Sequence, residues 1–168
     1  MRRAYILLIG FLCAAILAAC AAPQSPVPVA DSFSCRFSAD YGDITAAGVI
    51  ERTPDKVLTI TFDAPASLSG ITLVWDGEQV RMRVFGIETA LPQSYLPQQA
   101  LGSVVGDALD DAVTRAREGN LSEERLLFSG TVGEYDYTLR CDSQSGVPAQ
   151  LDVPALPLRL TFSDFEIH

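Results

Sequence analysis

The stretch Ile71-Thr-Leu-Val-Trp75-Asp-Gly-Glu-Gln-Val80-Arg-Met-Arg-Val-Phe85 decides the fold class. Leu73 and Trp75 before the break, and Val80, Met82 and Val84 after it, recur at every second position, which is the period of a strand with one buried face. Asp76-Gly77 offers two adjacent residues that tolerate positive φ, so the spacing predicts a tight type I′ hairpin. The rhythm continues outward from this hairpin. Alternating segments run from Phe33 to Tyr41, Ile44 to Arg52, Val57 to Asp63, Ile71 to Trp75, Glu78 to Phe85, Leu126 to Leu139 (broken near Gly130 to Gly133), Ala149 to Val153 and Leu158 to Phe165. Gly, Pro and Asp separate them. About eight strands at this spacing predict a mainly β fold of the α+β class, an antiparallel sheet.

One segment breaks the two-residue period. Leu101, Val104, Val105, Ala108, Leu109, Ala112, Val113 and Ala116 recur at helical spacing, predicting an amphipathic helix over 101–116 that packs on the concave face of the sheet. Gly102 and Gly106 allow its first turns to approach closely. Asp111 and Arg115 pair at i,i+4 on the wet face, and Gly119-Asn120 supplies a stop. Between hairpin and helix, Glu88 to Gln99 carries Leu91, Pro92, Tyr95, Leu96 and Pro97, and reads as a proline-stiffened loop over an opening or as a crossover packing its own leucines.

The chain has 168 residues, of which 48% are hydrophobic and 20% charged, enough apolar content for one globular core and too much for a disordered chain. With 21 acidic against 12 basic residues the net charge is −9, which argues against neutralising a nucleic-acid backbone.

The N-terminus reads as an address. Arg2 and Arg3 precede an apolar stretch from Ala4 to Ala19, the pattern of a signal peptide over 1–19, and shorter than the roughly 20 residues of a spanning helix. It ends in Leu17-Ala18-Ala19-Cys20, which resembles the bacterial lipobox. The resemblance implies that Cys20 carries a diacylglyceryl group, with acyl chains such as palmitate, and becomes the first residue of a protein anchored to the extracytoplasmic face of the cell membrane; Ala21 permits an outer-membrane location where one exists. Losing Arg2 and Arg3 takes the charge from −9 to −11, so an anionic bilayer repels the anchored domain. Residues 20–31, with Pro23, Pro26 and Pro28, form a spacer of roughly 30 Å in polyproline geometry. The mature fold then occupies 32–168. Cys13 leaves with the signal, and Cys35 and Cys141 sit on the apolar parity of their strands, either as a disulfide or as two buried thiols.

Chemistry-bearing constellations are sparse. The one histidine, His168, is terminal, no nucleophile elbow or phosphate loop occurs, and neither cysteine has metal-ligand spacing. Asp107, Asp110 and Asp111 read as a solvated helix face, while Glu123, Glu124, Glu134 and Asp136 belong to loops or strands. The expectation is a protein that is not an enzyme and uses no cofactor and no metal.

The run Gly48-Val-Ile50-Glu-Arg52-Thr-Pro54-Asp-Lys-Val57-Leu58-Thr-Ile60, then Pro65, then Leu73-Val74-Trp75-Asp76-Gly77, resembles the LolA/LolB-type lipoprotein carriers, as does the closing stretch Gly146-Val147-Pro148 to Phe162. The resemblance implies a half-barrel whose concave side, crossed by helix, holds acyl chains. It departs at Leu58, near where carriers often place an arginine that fastens the lid. The leading expectation is therefore a tethered lipoprotein binding an acyl chain or other apolar ligand, lined by Ile60, Phe62, Leu73, Trp75, Met82, Val105 and Leu109. The alternative is a non-enzymatic envelope scaffold or complex subunit with a filled core and an unknown protein partner.

Overall fold

The computed structural model describes residues 29–95, 100–115, 120–122 and 125–168. The signal peptide, Cys20, the spacer up to residue 28, Leu96, Pro97, Ala116, Gly119, Glu123 and Glu124 lie outside the described residues. Eleven strands form one open, curved antiparallel sheet: β1 (Phe33–Tyr41), β2 (Ile44–Arg52), β3 (Leu58–Ala64), β4 (Thr72–Trp75), β5 (Gln79–Val84), β6 (Ile87–Pro92), β7 (Asn120–Ser122), β8 (Arg125–Val132), β9 (Tyr135–Asp142), β10 (Pro148–Val153) and β11 (Leu158–Ile167). Their order is β6-β5-β4-β3-β2-β1-β11-β10-β9-β8-β7. Two wings of sequential hairpins thus meet at the centre, where β1 pairs with β11.

The eight expected strands are present, with the broken segment resolved into β8 and β9, and the sequence reading missed two edge strands. Ile87–Pro92 is β6 rather than part of a loop: Gly86, at φ 82°, turns the chain back, and β6 pairs with β5 from Val84↔Ile87 to Gln79↔Pro92. All six of its residues are exposed, and Thr89 between Ile87 and Leu91 on the inner parity, with Ala90 and Pro92 on the outer, blurs the alternation that would mark a strand. Pro92 closes the strand, and Gln93–Tyr95 forms a short 3-10 turn. The type I′ expectation is corrected too. Asp76 N–H donates to Gln79 O, so the two central residues are Gly77 and Glu78, with positive φ at Gly77 alone, as in a type II′ turn. Asp76 caps this turn, its carboxylate accepting the N–H groups of Glu78 at 3.1 Å and Gln79 at 2.8 Å.

Alternation sorts the sheet into two faces. Phe33, Cys35, Phe37 and Ala39 of β1, Ile50 of β2, Leu58, Ile60 and Phe62 of β3, Leu139 and Cys141 of β9, and Leu158, Leu160 and Phe162 of β11 all point into the core. Phe37 and Phe62 meet edge-to-face at 5.8 Å. The last residues of the expected spacer belong to this core: Val29 is buried, and Ala30 N–H donates to Gly146 O at 3.1 Å.

Helix α1 (Leu101–Thr114) carries the chain from one edge to the other across the inner face, packing on β3, β4, β8 and β9. It lacks a side-chain N-cap and includes two glycines, so burial of Val104, Val105, Ala108, Leu109 and Ala112 rather than intrinsic propensity holds it. No helix among the described residues is long and apolar enough to cross a membrane.

Of the two alternatives for Cys35 and Cys141, the structure has the buried thiols and not the disulfide, because β11 and β10 stand between their strands. Three strand spacings amount to about 14 Å, well beyond the 4.4–6.8 Å that a bridge spans between Cα atoms.

Candidate functional site

The seven expected lining residues divide into two groups. Ile60, Phe62, Trp75, Val105 and Leu109 are buried in a core that α1 fills, whereas Leu73 is half-buried and Met82 is 40% exposed. From the edge of α1 outward, register places three rows on the inner face, the first beginning at Trp75 beneath the helix. Leu73 lies opposite Met82 and Trp75 opposite Val80, while Val80 lies opposite Leu91, Met82 opposite Thr89 and Val84 opposite Ile87. Leu91 is 45% and Ile87 74% exposed. At the hairpin tip Phe85 is 91% exposed and adopts φ 49°. This strip is inner-face sheet that α1 does not cover, and a contiguous apolar patch of this kind marks a contact surface.

The strip ends in a polar recess of about 40 Å³ between α1 and strands β2–β4, lined among others by Arg52, Lys56, Trp75, Gln93, Asp107 and Asp110. Trp75 Nε1 and Gln93 Oε1 are both buried without a hydrogen-bond partner. A buried donor or acceptor left unpaired costs about 1–3 kcal/mol, so both atoms call for an occupant. The indole is fixed from behind. A Cβ on Gly102 would lie 2.2 Å from its ring, so only glycine lets α1 seat on Trp75.

Charged groups secure α1 at two points. The Arg52 guanidinium, 2% exposed, donates to Asp110 of α1 and to the Asp31 carbonyl, with Lys56 at 3.7 Å from the same carboxylate. Asp111 accepts from Arg115 and, at 2.5 Å, from the Tyr137 hydroxyl of β9. Asp110 and Asp111 therefore tie the helix to the sheet, correcting the solvated-face reading; Asp111 and Arg115 do pair, but against β9. Periodicity could not show this, since the helical wheel says nothing about which wet-face residues find partners. Arg52 went unnoticed because it sits at an inward position of β2, where the alternation otherwise reads as apolar.

Hydrogen bonds from Arg115 and then Tyr137 hold the Asp111 carboxyl below the usual carboxylate range. Partial burial, with Asp110 nearby, pushes Asp107 above it. Among the described residues no group of three His, Cys, Asp or Glu side chains could hold a metal ion. His168 N–H donates to Ser32 O at 3.4 Å.

On the outer face a shallow recess of about 480 Å³ includes Asp152, Arg140 and Arg159. Asp152 accepts from both arginines and from Gln150, so its charge is already matched within the sheet.

No protein family and no curated protein matches this sequence. Solved structures do. A chain in the complex of the CwlD amidase from Clostridioides difficile with the GerS lipoprotein superposes with TM-score 0.54 at 15% identity, over 82% of this chain and 87% of that one. An uncharacterized conserved protein from Thermus thermophilus gives 0.52 at 12%, over 83% and 80%. The LolA superfamily protein NE2245 from Nitrosomonas europaea gives 0.42 at 12%, over 86% and 89%. What the first two likenesses establish is the fold: this chain shares their architecture, here an open antiparallel sheet of two wings joined by one helix across its concave face.

Proposed function

We propose that this chain is a cell-envelope lipoprotein, anchored through Cys20, which binds the apolar body of an amphiphile on the uncovered inner strip of β4–β6. The carrying observation is the exposure of Met82, Ile87 and Leu91 on the face that elsewhere forms the core. An acyl chain laid along Leu73, Met82 and Leu91 removes this surface from water at about 25 cal/mol per Å². The inward side chains of α1, Val104, Val105, Ala108 and Leu109, are themselves buried against the sheet, so the ligand is placed beside the helix rather than under it.

Register also favours a ligand over the anchoring bilayer. Phe33, where the tethered end enters the sheet, lies at the same end as Arg52, Leu58, Trp75 and Leu91, whereas Phe85 and Gly86 lie at the other. The exposed tip is then presented away from the anchor. Binding rather than catalysis is the activity proposed.

The test is native mass spectrometry with organic extraction on the chain from residue 20 carrying Cys20→Ser. Co-purifying acyl lipid, lost on Met82→Glu in a folded variant, supports the reading. A clean mass together with no uptake of an apolar fluorophore refutes it. The filled core and the exposed Phe85 favour a second reading, a scaffold whose strip docks a protein. A similar chain occurs in the amidase–lipoprotein complex, and cross-linking in the envelope through residue 85 distinguishes the two.

A further inference from the structure

Resting on the reading above, the recess at the foot of the strip specifies the other half of the ligand. Trp75 contributes an N–H donor and Gln93 a carbonyl acceptor, both buried, both without partners and both belonging to residues that line the recess. Trp75 itself is 6% exposed. The two are joined to the apolar rows by the sheet: Trp75 lies opposite Val80, Val80 opposite Leu91, and Gln93 follows two residues after Leu91, its N–H held by Glu78 O at 3.0 Å. A volume of about 40 Å³ admits a small group of up to about three heavy atoms.

The charges around it choose among such groups. Arg52 and Lys56 both engage Asp110, which leaves Asp107, on the same helix and lining the recess, without a cation of its own among the described residues. A carboxylate or phosphate entering there meets two aspartates, with Arg52 and Lys56 already engaged by one of them. A hydroxyl or carboxamide offers both an acceptor and a donor, the complement of the unpartnered N–H and carbonyl that two residues lining the recess carry.

We infer that the recess is the head-group subsite of the strip and takes an uncharged hydroxyl or carboxamide, carried by an amphiphile whose hydrocarbon lies along Leu73, Met82 and Leu91. Trp75 donates to the oxygen of the head group, and Gln93 accepts from its O–H or N–H.

Trp75 is the only tryptophan, so its fluorescence reads the subsite directly. The chain from residue 20 carrying Cys20→Ser is titrated with 1-decanol, decanamide and decanoate. The expected result is that the alcohol and the amide shift Trp75 emission and bind about ten-fold more tightly than decanoate, the scale of one or two good hydrogen bonds. Gln93→Leu removes that advantage while leaving the circular dichroism unchanged. Decanoate binding as well as or better than the alcohol overturns the inference in favour of an anion held by Lys56 and Arg52. Equal binding of all three probes, weakened by Met82→Glu but not by Gln93→Leu, also overturns it and leaves the strip reading standing, with water satisfying Trp75 and Gln93. If no probe binds the folded chain, the strip reading fails together with the subsite.

Discussion

Arg52 at the end of β2 and Asp110 on α1 are 58 residues apart in sequence and joined by a hydrogen-bonded ion pair whose two sides are unequally buried: the arginine is 2% exposed, the aspartate 38%. That inequality predicts unequal mutational costs. Asp110→Ala strands a buried guanidinium and lowers stability by about 3 kcal/mol, the scale of a broken buried pair. Arg52→Met fills its site with apolar atoms and leaves Asp110 to solvent and Lys56, costing about half as much. Urea titrations of the two variants check the order, and Arg52→Met proving the worse would refute the account.

Two glycines four residues apart on α1 separate close approach from mere helix weakness. Gly102→Ala drives a methyl into the Trp75 ring and costs about 1–3 kcal/mol, with a shift in Trp75 emission. At Gly106 the added Cβ meets only Leu58 Cδ2, at 3.7 Å, an ordinary contact. Gly106→Ala therefore stabilises by about 0.5–1 kcal/mol through helix propensity. Thermal melts of the pair decide it.

This contrast also shows what the sequence could and could not convey. Periodicity placed the helix, the inward faces and the segments of nine of the eleven strands, because each of those is a local pattern enforced by burial. It treated Gly102 and Gly106 alike, since only the tertiary neighbour distinguishes them. It missed β6, whose residues are all exposed and whose alternation is blurred by Thr89 and Ala90. It placed Met82 on the inner face, yet how far α1 reaches along that face depends on the angle at which the helix crosses, which no residue spacing encodes. For the same reason Arg52, Gln93 and Trp75 Nε1 became visible as one recess only in the folded chain.

Two aspartates on α1 make stability respond to pH in opposite directions. Asp111 has a folded value below its unfolded one, so it stabilises above about pH 3.8 and loses that contribution as pH falls through the lowered folded value. Asp111→Asn flattens this acid limb of the melting curve. Asp107 has a folded value above the unfolded one, so its charged form opposes folding at neutral pH and the penalty fades on acidification. Asp107→Asn consequently raises Tm slightly at pH 7, by a degree or two for a partly exposed group, and leaves it unchanged at pH 3. Melts of both variants from pH 3 to 7 check the two signs.

Burial pushes the Cys35 and Cys141 thiols up to about 12, with Asp142 adding to the effect at Cys141. Thiolate is the reacting species, so both resist iodoacetamide at pH 8 in the folded protein and react on unfolding in urea without reductant. Alkylation that needs prior reduction would reveal a bridge and refute the free-thiol structure.

The first and last strands being neighbours at the centre of the sheet governs how the molecule comes into being. A chain delivered N-terminus first can build β1 to β6 as it emerges, yet one flank of β1 keeps its peptide groups unpaired until Leu158–Ile167 arrives. The final ten-residue strand acts as a latch for everything before it. Truncations in that strand are therefore expected to leave an open edge that recruits other chains, and the interval between emergence of β1 and emergence of β11 is when the newly made chain most needs a chaperone.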